Sequence, residues 1–553
     1  MEAGKRVGEE EKGRRRDKTV SSTSPLVVGT AAVATVTLAG CGTVQNQLNR
    51  VTGATKPEFA PLPTDNAKLT AAVNVLNRVG FGARPGDVAR VAEMGAAGWI
   101  EEQLGSVQYK EIEEGLFSNY QQQIFGTPER FKPVETFPDH PAVAWRVNAL
   151  DTQQMQQDAP ERLHDTPDEQ LVIETQQAVI LRGVYSKFQL RETLADFWTN
   201  HFNLYALKLD GRILIPVEIE RTIRQFALFN FREMLVHSAH SPAMLQYLDN
   251  KENKKGVANE NYARELLELH SVGVKSGYTL RDIQEVARAF TGWTIKEGFQ
   301  RGQFMFNRNQ HDQGEKFIPF LNLRLVPNGN QKDGDAILEK LAMHPATARF
   351  LSAKLCRRYL GHAPEAIVVR AANAYLKNDT DIKAMLRPIL LDGLAQQNDT
   401  QPIMKRPLDF CISALRATGA DTYGGEGVIR HLEAMGQPLY QWPMPDGFPE
   451  KAAAWTGSLL PRWNFALALA SNALADTTVN LGEIVEAFGA KTDAQRRDAL
   501  AQVLLPGAMT NAIAAPIDAH VAKARQSGLP EQAILAETAA LLMASPAFQY
   551  KGC

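Results

Sequence analysis

The chain runs to 553 residues, with 60 Lys and Arg against 62 Asp and Glu, a formal charge of -2 and 44% hydrophobic residues. Core burial is therefore not limiting, and the length could hold about three domains of roughly 150 residues. Acidic and basic residues are evenly mixed, which leaves no electrostatic footprint for nucleic acid, and four widely spaced cysteines are too few for a disulfide framework.

At the N-terminus, Lys5, Arg6, Lys12, Arg14, Arg15, Arg16 and Lys18 precede an uncharged run from Val20 to Leu38. That is the layout of a signal peptide, placed at residues 1–40. The run is rich in Thr, Ala and Gly and falls short of the roughly 20 strongly apolar residues that a spanning helix needs, so a retained membrane helix is not expected. It ends in Leu38-Ala39-Gly40-Cys41, which resembles the lipobox of bacterial lipoproteins. The resemblance implies lipid on the Cys41 thiol, a membrane partner reached through that lipid, and an exported protein that is periplasmic or associated with the outer membrane. Arg14-Arg15-Arg16 admits twin-arginine export, although Asp17-Lys18-Thr19 does not supply the apolar residues that usually follow the pair; the general secretory route is the other option.

Residues 41–66 read as a flexible tether, with Thr, Gly, Pro and Lys in place of a hydrophobic period. From 67 to 553 the pattern is mainly helical. Leu69, Val73 and Leu76, then Val88, Val91, Met94, Ile100 and Leu104, recur at helical spacing on either side of a turn at Gly80 to Pro85. Residues 128–141 form a proline-bearing connector and 154–166 are too polar for core, which points to a surface excursion. Helical periodicity returns from Asp168 to Met244. Thr279-Leu280-Arg281-Asp282 fits a capping box with Asp in place of Glu, opening a helix whose core face is Ile283, Val286, Ala287 and Phe290. Gln303-Phe304-Met305-Phe306 alternates as a strand does. Helices follow across 333–359, 365–390 and 405–419, where Cys356 and Cys411 read as small buried hydrophobes. A loop rich in Pro and Trp then spans Gly436 to Pro449. The expected fold is all-α, a multi-helix globular domain with a small extended or hairpin insertion near residues 300–325 and room for a C-terminal helical subdomain from about 400.

Each helical residue advances about 100° around the axis, which sorts the candidates for chemistry. Leu194, Phe197, Trp198 and His201 share one face, so His201 points at core. Ala263, Leu266 and His270 share another, opposite a polar stripe of Asn261, Arg264, Glu265 and Glu268. An undistorted helix cannot present His270 and Glu265 to one small ligand, so two sites stay open. In the first, His201 and His270 converge with His311 and Asp312 on a divalent metal, their imidazole nitrogens and carboxylate oxygen suiting zinc, iron or copper. The competing role for such histidines is that of hydrogen-bonded core residues. In the second, Glu265 acts as a general base while Arg264 orients an anionic group of the substrate. On an exposed face the same stripe would be an ordinary set of salt bridges. His237 and His240 lie close to Ser238 and Ser241, without the strand and elbow that a Ser-His pair usually has. Trp442, Pro443, Pro445 and Trp455 could stack on a carbohydrate or simply pack a proline-rich loop.

Several separated motifs, LNRVGFGARP, DFWTNHF, MLQYLDN, NENYARELLELHSVG, DIQEVARAFTGW, HDQGEK, KRPLDF and MGQPLYQWP, together resemble the domain-of-unknown-function 1800 family from about Leu69 to the C-terminus. The resemblance implies an exported, mainly helical bacterial protein of undetermined activity, and it supplies no catalytic residue. Two roles follow as expectations. One is an envelope enzyme, a metal-dependent hydrolase or oxidoreductase acting on an extracytoplasmic polymer or small molecule. The other is a non-catalytic envelope lipoprotein that binds polysaccharide or a partner protein.

Overall fold

The computed structural model describes residues 59–105, 168–296, 303–394 and 400–552. The signal peptide, Cys41, most of the tether and the surface excursion at 128–141 and 154–166 lie outside the described residues, as does Cys553. These described residues belong to one compact unit. As expected, that unit is all-α in character, its strands short and paired only in twos.

The elements form for local reasons that the sequence displays. The helix Asn66–Val79 starts where Asp65 accepts hydrogen bonds from the backbone of Ala67 at 2.9 Å and Lys68 at 3.2 Å, satisfying donors that the first turn leaves open. The box at Thr279 forms as read: Asp282 Oδ2 accepts from Thr279 N at 2.8 Å, and Asp282 N donates to Thr279 Oγ1 at 3.3 Å. The helix Pro345–Leu360 begins with Pro at its first position and ends at Gly361 in the left-handed region. In the helix Gln189–His201, Leu190 and Leu194 are wholly buried, each stabilising the fold by roughly 1.5–3 kcal/mol.

The hairpin insertion is present and double. Trp293–Ile295 pairs antiparallel with Phe304–Phe306, and Lys316–Ile318 with Leu323–Leu325. Two further pairs, Ile403–Met404 with Tyr550–Lys551 and Asp421–Thr422 with Thr477–Thr478, are each two residues long, too short to leave an alternating pattern in sequence.

One hydrophobic core runs from Leu69 to Phe548, continuous across residue 400. A buried ionic network ties the same parts together. Asp409 accepts from Lys551 Nζ at 2.7 Å and from Arg358 at 3.3 Å, while Asp196, on the Gln189–His201 helix, takes Arg358 at 3.1 Å and also pairs with Arg406. Three cations thus meet two carboxylates where early and late segments of the chain join. Cys356 and Cys411 are buried free thiols, the small hydrophobes expected. Among the described residues, no helix is long and apolar enough to cross a membrane.

Candidate functional site

His201 closes the last turn of its helix with 2% of its surface exposed, on the face the helical count assigns to core. Phe197, Trp198, Phe202 and Phe231 surround the ring. Trp198 is fixed in turn by its indole N–H, which donates to the carbonyl of Ala227 at 3.1 Å. His201 Nε2 stands 3.2 Å from the backbone carbonyl of His270, and a carbonyl can only accept. That assigns the ring proton to Nε2 and leaves Nδ1 as acceptor, 3.1 Å from Lys354 Nζ. Burial, then the field of Lys354, hold the His201 pKa well below its usual range, so the ring is neutral.

Lys354 comes from the helix Pro345–Leu360 and lies over the rings of Phe197 and Phe350, at 5.7 and 5.6 Å. Desolvation lowers its pKa, Arg357 adding to the effect while Glu450 and Asp446 oppose it. Desolvation disfavours the ammonium relative to the amine, which makes such a lysine a stronger candidate for proton transfer than a surface one.

His270 is also buried, its ring centroid 6.1 Å from that of His201, and burial pushes its pKa down to about 3. Its Nε2 has no hydrogen-bond partner. The distortion that would relax the helical count is present: Asn261–Glu265 is α-helical but Leu266–His270 is a π-helical turn, a form frequent at functional sites. Immediately after it, Gly273 takes φ +84, and a Cβ there would stand 2.8 Å from the ring of Phe350. The glycine therefore lets the turn pack against the aromatic that covers Lys354.

Glu265 is half-buried, with its pKa raised by desolvation, then by Glu268; Asp446 adds to this and Arg264 opposes it. Asp446 acts on both Glu265 and Lys354, which ties the stripe side of the helix to the His201 side. Arg264 is engaged along its own helix, 3.1 Å from Glu260 and 3.7 Å from Glu268, on a side chain 40% exposed. Its geometry is that of the salt-bridged face.

The loop carrying Asp446 is clamped by the end of the His201 helix. Asn200 exchanges hydrogen bonds with the backbone of Phe448, donating at 3.0 Å and accepting at 2.8 Å, and Asn203 Nδ2 donates to the carbonyls of Trp442 and Met444. Gly447 has φ +74, and a Cβ there would collide with the backbone oxygen of Asn200. A cleft between this helix and the loop is lined by Asp196, Asn200, Asn203, Tyr440 and Phe448, but the asparagines and Asp196 are already engaged as described. Trp442 lies tilted at 43° to Phe448, ring centroids 5.0 Å apart, and donates to Asp446 at 3.1 Å, whereas Trp455 is buried with Phe448 and Met404, which removes it from any stacking surface.

The structure brings His201 and His270 together and places His311 and Asp312 in other networks. His311 is wholly buried, its Nδ1 2.7 Å from the carbonyl of Thr291 and its Nε2 3.2 Å from Asp333, which also receives Lys316 Nζ at 2.8 Å. Burial would raise the Asp333 pKa, but His311 and Lys316 hold it low. Asp312 is gripped by Arg288 at 2.9 and 3.2 Å. Asp312 fastens the hairpin insertion to the helix Leu280–Ala289, and His311 fastens it to Thr291 and to the helix Lys332–Ala342. Among the described residues, no group of three or more His, Cys, Asp or Glu is placed to hold a metal ion. The Ser-His arrangement does not form either: Ser238 and Ser241 turn to Glu218, while His240 bonds the carbonyl of Val236 at 2.8 Å and meets Asp335 at 3.4 Å. Sequence reading missed Lys354, Asn200, Asn203 and Asp446.

A family model described as "Protein of unknown function (DUF1800)" matches residues 74–550. Neither a curated protein nor a solved structure matches the chain.

Proposed function

Because the chain belongs to the DUF1800 family, a family of proteins of unknown function, we propose its role from its own residues: an exported cell-envelope lipoprotein, anchored through lipid on Cys41, that hydrolyses an extracytoplasmic substrate with Lys354 as proton acceptor. The observation that carries the chemistry is the 3.1 Å contact of Lys354 Nζ with His201 Nδ1 inside an aromatic enclosure. His201, its tautomer fixed by the carbonyl of His270, orients the amine. Lys354 takes a proton from the attacking water, and Glu265, its pKa raised by desolvation and then by Glu268, returns one to the leaving group.

The test is competitive acetylation of the full chain across pH, read by mass spectrometry, together with hydrolysis of a panel of chromogenic esters, amides and glycosides. Lys354 should acetylate at lower pH than surface lysines of equal accessibility, and Lys354→Met should abolish hydrolysis while the protein stays folded. An ordinary titration of Lys354, or full activity in the variant, overturns the reading. The bare Nε2 of His270 favours a second reading in which a divalent metal serves the hydrolase or oxidoreductase chemistry. Stoichiometric zinc, iron or copper in purified protein, lost in His270→Ala, would select it. Binding of polysaccharide or a partner protein that is lost in Trp442→Ala but kept in Lys354→Met would select the non-catalytic role.

A further inference from the structure

The segment 452–471, Ala-Ala-Ala-Trp-Thr-Gly-Ser-Leu-Leu-Pro-Arg-Trp-Asn-Phe-Ala-Leu-Ala-Leu-Ala-Ser, contains a single charged residue. That residue, Arg462, is wholly buried: its guanidinium donates inward to Ser458 Oγ at 3.1 Å, Gln549 Oε1 at 3.1 Å and the carbonyl of Lys405 at 2.8 Å. The helix Leu459–Ala470 therefore turns its one charge into the protein along with Phe465, Ala466 and Leu469, and leaves a second apolar face outward. Leu460 is 64% exposed, Trp463 45% and Leu467 47%. Spaced at three and four residues, they share one face, and the exposed Ala452, Ala453 and Ala454 earlier in the segment add no charge. Water gains nothing from such a face, and a surface helix ordinarily carries the opposite pattern.

We infer that this face lies on a lipid bilayer, an inference that rests on the lipoprotein reading of Cys41. The occupant is argued from the chain that leads away from the folded unit. Phe59 and Leu62, among the first described residues, line a small cleft with Gln502 and Val503 of the helix Asp493–Leu504. That helix packs on Glu531–Ala544, which packs on Leu459–Ala470. The tether thus departs from the same helical bundle that bears the face. Cys41 is separated from Phe59 by 17 residues, no more than about 60 Å of extended chain at roughly 3.3–3.6 Å per residue. A link of that length holds the face near the anchoring bilayer at an effective concentration on the order of millimolar, so a face that partitions only modestly on its own stays on the membrane. A tryptophan flanked by leucines on an uncharged face is also the composition that settles at a membrane interface, the indole at headgroup depth and the leucines below it.

The experiment uses the full chain with Cys41→Ser, so that no lipid is attached, and vesicles of phosphatidylcholine and phosphatidylglycerol. Flotation of this protein is compared with the same chain carrying Leu460→Ser, Trp463→Ser and Leu467→Ser, whose melting temperature checks that the fold persists. The three substitutions should lower the vesicle partition coefficient at least about tenfold, and brominated lipid should quench a tryptophan signal that Trp463→Phe removes. Equal flotation of the two chains overturns the inference. So does a dimer in sedimentation that the triple variant dissociates while neither chain floats, since the face would then bind a second copy. Fatty-acid labelling of the unsubstituted protein separates the two claims: no label with patch-dependent flotation removes the anchor and leaves the docking face, whereas label with equal flotation does the reverse.

Discussion

Glu218 sits 2% exposed at the junction of the helix Gly211–Glu218 and the π turn Ile219–Arg224, with Thr222 Oγ1 donating to its Oε2 at 3.1 Å. Burial lifts its pKa from 4.5 to about 7, against the hydrogen bonds of Ser241, Thr222 and Ser238. The folded protein therefore keeps this proton up to about pH 7, while the unfolded chain releases it near 4.5. The group's contribution is fully present below the unfolded value and is lost as pH rises through the folded one. A gap of about 2.5 units, 7 less 4.5, at ~1.36 kcal/mol per unit amounts to roughly 3 kcal/mol. Glu218→Gln keeps a neutral side chain of the same shape and removes the titration. Urea unfolding at pH 5 and pH 8 should show the wild type losing about 2–3 kcal/mol more than the variant over that interval. Parallel losses would mean that the carboxyl is solvated or paired in solution, and the reasoning would fail.

Asp409→Asn leaves Arg358 and Arg406 sharing Asp196 and takes from Lys551 the carboxylate it pairs with, and stranding buried cations in this way should cost about 3–5 kcal/mol in urea unfolding. Burial works to raise the Asp409 pKa, but Arg358, Lys551 and Arg406 hold it far below the usual range, so its stabilisation is present above roughly pH 4 and is lost on further acidification. Gly447→Ala should strain the loop at a positive φ and against Asn200, costing about 1–3 kcal/mol and changing the emission of Trp442, whereas an unchanged melting temperature would show the loop to be free to move. Cys41→Ser should abolish incorporation of radioactive fatty acid and leave an unprocessed or soluble precursor; a wild type that takes up no label ends the lipoprotein assignment.

Fold and site were legible to different depths. The burial of His201, the capping box at Thr279 and the hairpin near 304 were readable because each follows from a period or a local hydrogen bond. The two-residue strand pairs were not, since nothing alternates over two residues. Lys354 was hidden for another reason: in sequence it is one lysine on a long helix, and only the packing of Phe197 and Phe350 around it distinguishes it. His311 and Asp312 looked like ligands because donor types are visible in sequence, but their partners Asp333, Lys316 and Arg288 are set by tertiary contacts. The last turn before His270 followed no α count because it is a π turn, which residue types alone do not announce.

A π turn holds more residues than the α turn it replaces, so Leu266–His270 amounts to a one-residue insertion that the helix has absorbed without breaking. Deleting one of Leu266 to Leu269 would rewind the segment and rotate everything upstream by about 100°. Arg264 and Glu265 would swing away from the loop at Asp446, while His270, downstream of the cut, would keep its place beside His201. The acid stripe and the buried histidine pair are thus mechanically decoupled, and a lineage could retune which acid stands beside Asp446 by gaining or losing a single codon.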